Sequence, residues 1–137
     1  MKRFKSKVFY VLLEIKNKMT LYTKSITKPI EQSDGFRICI MRNPSGHEGS
    51  YDHWMPELSP KQSLRDELKA GLKWDGFKPK FEAYLETKGT TLDYVASAAR
   101  SGDVTLLCVE DTPDRCHRSL VANAIKERHV DLEVVVR

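Results

Sequence analysis

Cysteine is scarce in this chain, with only Cys39, Cys108 and Cys116 among 137 residues. Three unevenly spaced cysteines cannot build the disulfide framework of a small secreted domain, so the reading favours a reducing, cytoplasmic setting. Long apolar runs are missing too. The apolar patch within residues 1–18, MKRFKSKVFYVLLEIKNK, ends at Glu14, well short of the roughly 20 residues needed to span a bilayer. It also lacks the small-residue cleavage site of a signal peptide, and no membrane partner is expected. There are no repeats, low-complexity tracts or linkers, which leaves one domain. With 40% hydrophobic residues, that domain can bury its own core without disulfide support. Nor does one sign of charge dominate. The 23 basic and 19 acidic residues leave a net charge of +4 and are interspersed, which allows an anionic small molecule or a nucleic acid as partner without marking a nucleic-acid surface.

The stretch that organises the rest is VTLLCVEDTPDRCHRSLVANAIKERHV, residues 104–130. Residues 104–110 are nearly all apolar or β-branched, the pattern of a strand covered on both faces. Thr112 has the hydroxyl of a helix cap, Pro113 suits the first helical position and Asp114 adds negative charge to a first turn, so a helix is predicted to start there. Cys116, His117 and Arg118 then lie within about a turn of a helix N-terminus, where free N–H groups and the dipole favour an anion or a thiolate. Cys108 is in phase with Leu106 and Glu110 and can approach Cys116 across the turn. Other readings stay open. Cys116 also keeps register with Leu120 and Ala124, as a cysteine packed on the sheet does. Arg118 and Glu110 can form an ion pair that locks the turn. A structural zinc on Cys108, Cys116 and His117 lacks a fourth ligand in the motif, so neither metal nor cofactor is expected.

Elsewhere the pattern alternates between strand and helix. Residues 21–26 and 36–41 read as strands, and residues 132–136 as a final one. Ser59, Pro60 and Gln62 form a capping-box start for a helix with Leu64, Leu68 and Leu72 on one line, closed near Gly71. Trp74, Phe77, Phe81, Tyr84 and Leu85 mark a second helix running to about Gly89, with the aromatic row in the core. A third starts at Thr90 or Thr91, turns Leu92, Val95, Ala96 and Ala99 inward, and ends at Gly102. Residues 43–59 show no periodicity, and a loop of that length is usually functional or disordered. Its His47, Glu48, Asp52 and His53 fit no ligand spacing, while Trp54 and Met55 are expected to fold the loop back on the domain. Strands separated by helices predict an α/β fold: a single domain over residues 19–137 with a mostly parallel sheet of four to five strands and helices on both faces. Residues 1–18 are an extension, either outside the domain or packed on it as an added element.

The order Leu106, Leu107, Cys108, Glu110, Pro113, Cys116, His117, Arg118 resembles the C-terminal signature of the domain of unknown function 488 family. LYTKSI at 21–26 is similar to its opening strand, and Arg42, Pro44 and Ser45 to an Arg-x-Pro-x-Ser pattern after its second strand. Residues 51–60, with Trp54 and Ser59-Pro60, resemble a subgroup of that family. The resemblance covers residues 19–130. Met41 stands where the family has Asp, and Lys24-Ser25 where it has Gly-His. The resemblance brings no assigned activity.

Ligands of open parallel sheets bind beyond the carboxyl ends of the strands. Both motifs point there, and they converge if their strands are neighbours. Two functions fit. In the first, an enzyme uses Cys116 as nucleophile or redox centre with His117 as base or cationic neighbour and Arg118 on an anionic group. Arg42, Asn43, Cys108 and Glu110 then bind substrate. In the second, the same corner grips the phosphate of a nucleotide or nucleic acid and the cysteines only pack. The substrate and the oligomeric state are not legible.

Overall fold

A computed structural model describes residues 19–137. Both expectations for residues 1–18 lie outside the described residues. The sheet contains β1 (Thr20–Ser25), β2 (Phe36–Cys39), β3 (His53–Trp54), β4 (Val104–Cys108) and β5 (Glu133–Val135). Its order is β3-β2-β4-β1-β5, and every pairing is parallel. Among the described residues there are also two 3-10 turns, Gln32–Asp34 and Pro56–Leu58, and four α-helices: α1 (Gln62–Lys69), α2 (Trp74–Glu86), α3 (Gly89–Ser101) and α4 (His117–Arg128). This is the α/β domain that the alternating pattern predicts, with the sheet wholly parallel. None of these helices is long and apolar enough to cross a membrane.

β4 is the central strand, and all five of its residues are buried. That burial is why its sequence carries no alternation. Its one hydroxyl is satisfied, since Thr105 Oγ1 donates to the Asp34 carbonyl at 2.7 Å. The larger core joins Leu21, Ile38, Val104 and Leu106 of the strands to Leu64, Phe81, Val95 and Ile125, so that each helix contributes to it. Fully burying such a side chain is worth about 1.5–3 kcal/mol. A smaller cluster of Ile26, Cys39 and Leu107, with Met41 and Tyr51 against it, draws on strands and loops only among the described residues.

Among the described residues, buried charge falls in two places, the Arg118 guanidinium and one ionic group around Asp34. Asp34 is fully buried and accepts from Lys24 Nζ at 3.0 Å, from Arg37 Nη1 and from the Glu31 backbone N–H at 3.0 Å. Burial raises the Asp34 carboxyl pKa, yet the Glu31 N–H, the Lys24 ammonium and the Arg37 guanidinium outweigh it and hold the group below its ordinary value. Lys24, one of the two departures in the opening strand, is therefore a structural cation. Gly35 follows at φ +64, and a Cβ there would stand 2.1 Å from the Asp103 carbonyl oxygen. Only glycine fits.

Several boundaries differ from the sequence reading. β4 stops at Cys108, and the next helix begins at His117 rather than at Thr112–Pro113. Residues 109–116 form a loop with Arg115 in the left-handed region at φ +54 and Cys116 as the extended N-cap. The local capping preference of Thr112 loses to the contacts that Glu110 and Arg118 make. α1 begins at Gln62 without a side-chain cap, because Ser59 is fully buried behind the 3-10 turn Pro56–Leu58 and its hydroxyl turns to the Pro60 carbonyl. β3 lies inside the stretch read as structureless, and two residues are too few to show a period. The loop does fold back. Met55 is buried, and Trp54 Nε1 donates to the Met41 carbonyl at 2.7 Å. The aromatic row is core at Phe77 and Phe81, and Gly71, at φ +111, follows the end of α1.

Candidate functional site

The neighbour relation on which the site depends is present. β2 lies beside β4, with Ile38 opposite Leu106 and Cys39 opposite Leu107. The segments that leave their carboxyl ends therefore run side by side, which places Ile40, Met41, Arg42 and Asn43 next to Cys108, Val109 and Glu110.

Four reactive side chains meet at this edge. Glu110 Oε2 accepts from Cys108 Sγ at 2.8 Å and from Cys116 Sγ at 3.2 Å. His117 Nδ1 lies 3.4 Å from Cys108 Sγ, while Nε2 lies 2.7 Å from the Ile40 carbonyl oxygen. A carbonyl only accepts, so Nε2 carries the proton and the neutral ring turns the Nδ1 lone pair toward the sulfur. The ring is further held edge-on by Phe81, at a centroid separation of 5.9 Å.

The electrostatics of the cluster follow from burial and crowding. Cys108 has its thiol pKa pushed up, first by the hydrogen-bonding contact with Cys116, then by burial, then by the neighbouring Cys116 and Glu110 charges. Burial would raise Glu110 as well, but bonds from Cys108, the backbone and Cys116 outweigh it, and the carboxyl stays below its usual range. His117 is lowered by burial, against the opposing pull of the Ile40 carbonyl and Glu110. These directions keep Cys108 a thiol, Glu110 a carboxylate and His117 a neutral imidazole at neutral pH.

Arg118 is fully buried, and it serves the loop. Its Nη1 donates to the Glu110 carbonyl at 2.7 Å and to Cys116 Sγ at 3.3 Å, and its Nε donates to the Arg137 carbonyl at 3.3 Å. The ion pair considered between Arg118 and the Glu110 side chain is thus a bond to the Glu110 backbone. His117 meets Cys108 and the Ile40 carbonyl.

Above the cluster opens a cavity of about 780 Å³. Arg42, Asn43, Cys108, Glu110 and His117 line it; Cys116 and Arg118 do not. The expected nucleophile is therefore not on the wall; the cysteine that lines the cavity is Cys108, and both are almost fully buried, at 1% and 2% exposure. Five basic side chains, Arg42, Arg65, Lys69, Lys73 and Arg115, face two carboxylates, Asp75 and Glu110. Apolar lining comes from Leu68, Leu72, Trp74 and Phe77. The sequence reading missed the contribution of α1 and the start of α2 to this wall. Its signal was present as Arg65 and Lys69, four residues apart and so on one face of α1, while Lys73 stands beyond that helix as the N-cap of α2. Arg115 had no such signal, because its place depends on a left-handed backbone inside the loop. His47, Glu48, Asp52 and His53 lie away from the cavity wall.

These features define a parallel α/β domain with a Cys-Glu-Cys-His cluster at the carboxyl edge of its central strand, beneath a basic cavity. Residues 21–129 match a family model, DUF488-N3a, described as the active DUF488-N3 subclade. The chain belongs to the domain of unknown function 488 family, and the signature Leu106–Arg118 is the segment that builds the cluster. No curated protein and no solved structure is detectably similar to it.

Proposed function

We propose that the protein is an enzyme acting on a phosphate- or carboxylate-bearing substrate held in the cavity, with the reacting bond presented to the Cys108, Glu110 and His117 floor. One observation carries this reading: a cluster of thiol, carboxylate and imidazole opens into a cavity lined by both basic and apolar side chains. Its volume is within the range of about 300–1,000 Å³ typical of small-molecule sites. Arg42 is the first anion contact, since it rises from the β2 end directly beside the cluster, and Arg65 and Lys69 approach from α1. Trp74 and Leu72 suit the uncharged body of the ligand, which makes a nucleotide-sized molecule with an anionic end the best match. His117 Nδ1 is the available base. The three cysteines are all free thiols, in keeping with work in a reducing, cytoplasmic setting.

The competing function is a binding module for nucleotide or nucleic-acid phosphates in which the cluster only stabilises the loop. Both are tested on chelator-treated protein by titrating inorganic phosphate and adenosine monophosphate and following tryptophan fluorescence. Arg42→Ala and Arg65→Ala should each weaken binding about tenfold, as expected for loss of a charged hydrogen bond. Products are then sought by mass spectrometry across a panel of nucleotides and sugar phosphates. Turnover that disappears in His117→Ala while binding persists supports the enzyme. Binding without any product supports the module, and binding unchanged in both arginine variants defeats the two readings together.

A further inference from the structure

The sequence motif leaves a zinc one ligand short, and the fold supplies it. Sγ of Cys108, Sγ of Cys116, a ring nitrogen of His117 and a carboxylate oxygen of Glu110 all lie within 4.8 Å of one another. We propose that these four side chains form a binding site for one divalent cation of the zinc type.

Tetrahedral zinc with two sulfur, one nitrogen and one oxygen ligand requires ligand atoms spaced about 3.3–3.8 Å apart, given bonds of about 2.0–2.3 Å. The cluster already stands at 2.8 Å between Cys108 Sγ and Glu110 Oε2, 3.2 Å between Cys116 Sγ and Glu110 Oε2, and 3.4 Å between Cys108 Sγ and His117 Nδ1. An ion at the centre needs the close pairs to spread and the widest, up to 4.8 Å, to draw in, each by about an ångström or less.

The surroundings are those of a ligating cluster. A metal-bound histidine almost always donates its second ring N–H to a carbonyl or carboxylate, which fixes the lone pair on the metal. His117 does this through Nε2 to Ile40, leaving Nδ1 for the ion. Cys116 Sγ accepts from the buried Arg118 guanidinium, a donor that offsets the excess negative charge of two thiolates and a carboxylate around a divalent ion. The donor set is soft to borderline, which favours zinc over magnesium or calcium. Binding releases the two thiol protons to solvent and converts both cysteines to thiolates, while the carboxylate and the neutral imidazole enter as they are. Among the four, Glu110 alone is exposed, and both cysteines are buried. The ion therefore sits at the cavity floor with its carboxylate side toward the open space. If the cavity holds the substrate proposed above, a substrate oxygen or a water would reach the ion from that side as Glu110 yields its place, with the ion taking over from the His117 Nδ1 base, and this last step rests on that reading.

The test uses the full chain, reduced and stripped with chelator, and titrated with cobalt(II) and then zinc(II). Expected are one cobalt per chain, intense tetrahedral visible bands with a sulfur-to-cobalt charge-transfer absorption, and displacement of the colour by zinc. Cys108→Ser and Cys116→Ser should each weaken cobalt binding more than about 100-fold, and Glu110→Gln by about tenfold or more. Cys39→Ser should leave the spectrum unchanged, because Cys39 lies in the separate small cluster. The reduced wild-type protein failing to take up cobalt or zinc at micromolar concentration overturns the proposal, whatever the variants do. So does a spectrum lost in Cys39→Ser, or a Cys108–Cys116 disulfide whose reduction yields no metal site. Since anion binding is measured on stripped protein, loss of the metal site and loss of the anion site are read separately.

Discussion

Replacing Arg118 by Met separates a side chain that holds the loop from one that meets a ligand. Met keeps much of the packing volume while removing every donor. Three bonds disappear: the 2.7 Å bond to the Glu110 carbonyl, the 3.3 Å bond to the Arg137 carbonyl and the 3.3 Å contact with Cys116 Sγ. A hydrogen bond to a charged group is worth about 1.5–3 kcal/mol net, and the desolvation already met by the guanidinium offsets part of the sum. The acceptors left behind are at least partly buried. Arg118→Met should therefore lose about 2–4 kcal/mol of stability. Arg118→Lys should lose most of that amount as well, because an ammonium cannot reproduce the fork. Arg42→Met removes one 3.3 Å bond, to the Pro60 carbonyl, at the cavity rim, and should cost under about 1 kcal/mol. Urea denaturation followed by fluorescence of Trp54 and Trp74 reads all three variants. Equal costs at positions 118 and 42 would refute the reasoning. Wild-type stability in Arg118→Met, with anion binding lost, would show that the buried arginine reaches the ligand after all.

Gly35→Ala should destabilise the protein by more than about 3 kcal/mol, since the new Cβ meets a backbone oxygen and the residue keeps a positive φ; a loss below about 1 kcal/mol in the same denaturation assay contradicts the close approach. Asp34 has its folded pKa depressed, so its contribution is complete above the unfolded value of about 3.9 and is lost as pH falls below that value and through the folded one. Asp34→Asn should accordingly be much less stable than wild type at pH 7, with the gap narrowing below about pH 4; a gap that is constant from pH 7 to pH 3 argues against an ionised Asp34. Thr112→Ala should cost less than about 0.5 kcal/mol, where a true helix cap costs about 1 kcal/mol; a larger loss in thermal melts would return the helix start to that residue.

How far the chain could be read from its sequence follows the range of the interactions. β4 and the amphipathic helices were legible because burial imposes a period or an unbroken apolar run, as at Leu106 and Leu107 or at Phe77 and Phe81. The grouping of Cys108, Glu110, Cys116 and His117 was legible as a motif, since the spacing survives whatever the turn does. What the turn does was not legible. Thr112 and Pro113 satisfy every local rule for a helix start, but the chain instead follows the Arg118 guanidinium, whose partner Glu110 lies eight residues back in sequence. The cavity wall contributed by α1 escaped for a similar reason. Arg65 and Lys69 look like solvated surface until the tertiary arrangement turns them toward Arg42. β3 was beyond reach, as its two residues are a strand only by virtue of pairing with Ile38 and Cys39.

The order β3-β2-β4-β1-β5 sets a timetable for assembly. β1 and β2 never pair with each other; the strand that joins them, β4, follows β2 by more than 60 residues. On the ribosome, with the N-terminal part made first, the two early strands must wait for a late one to insert between them. That late strand also carries Cys108 at its tip. A nascent chain halted before it has neither a continuous sheet nor the thiols of positions 108 and 116, and so the chemistry of the floor arrives only together with the scaffold that shields it.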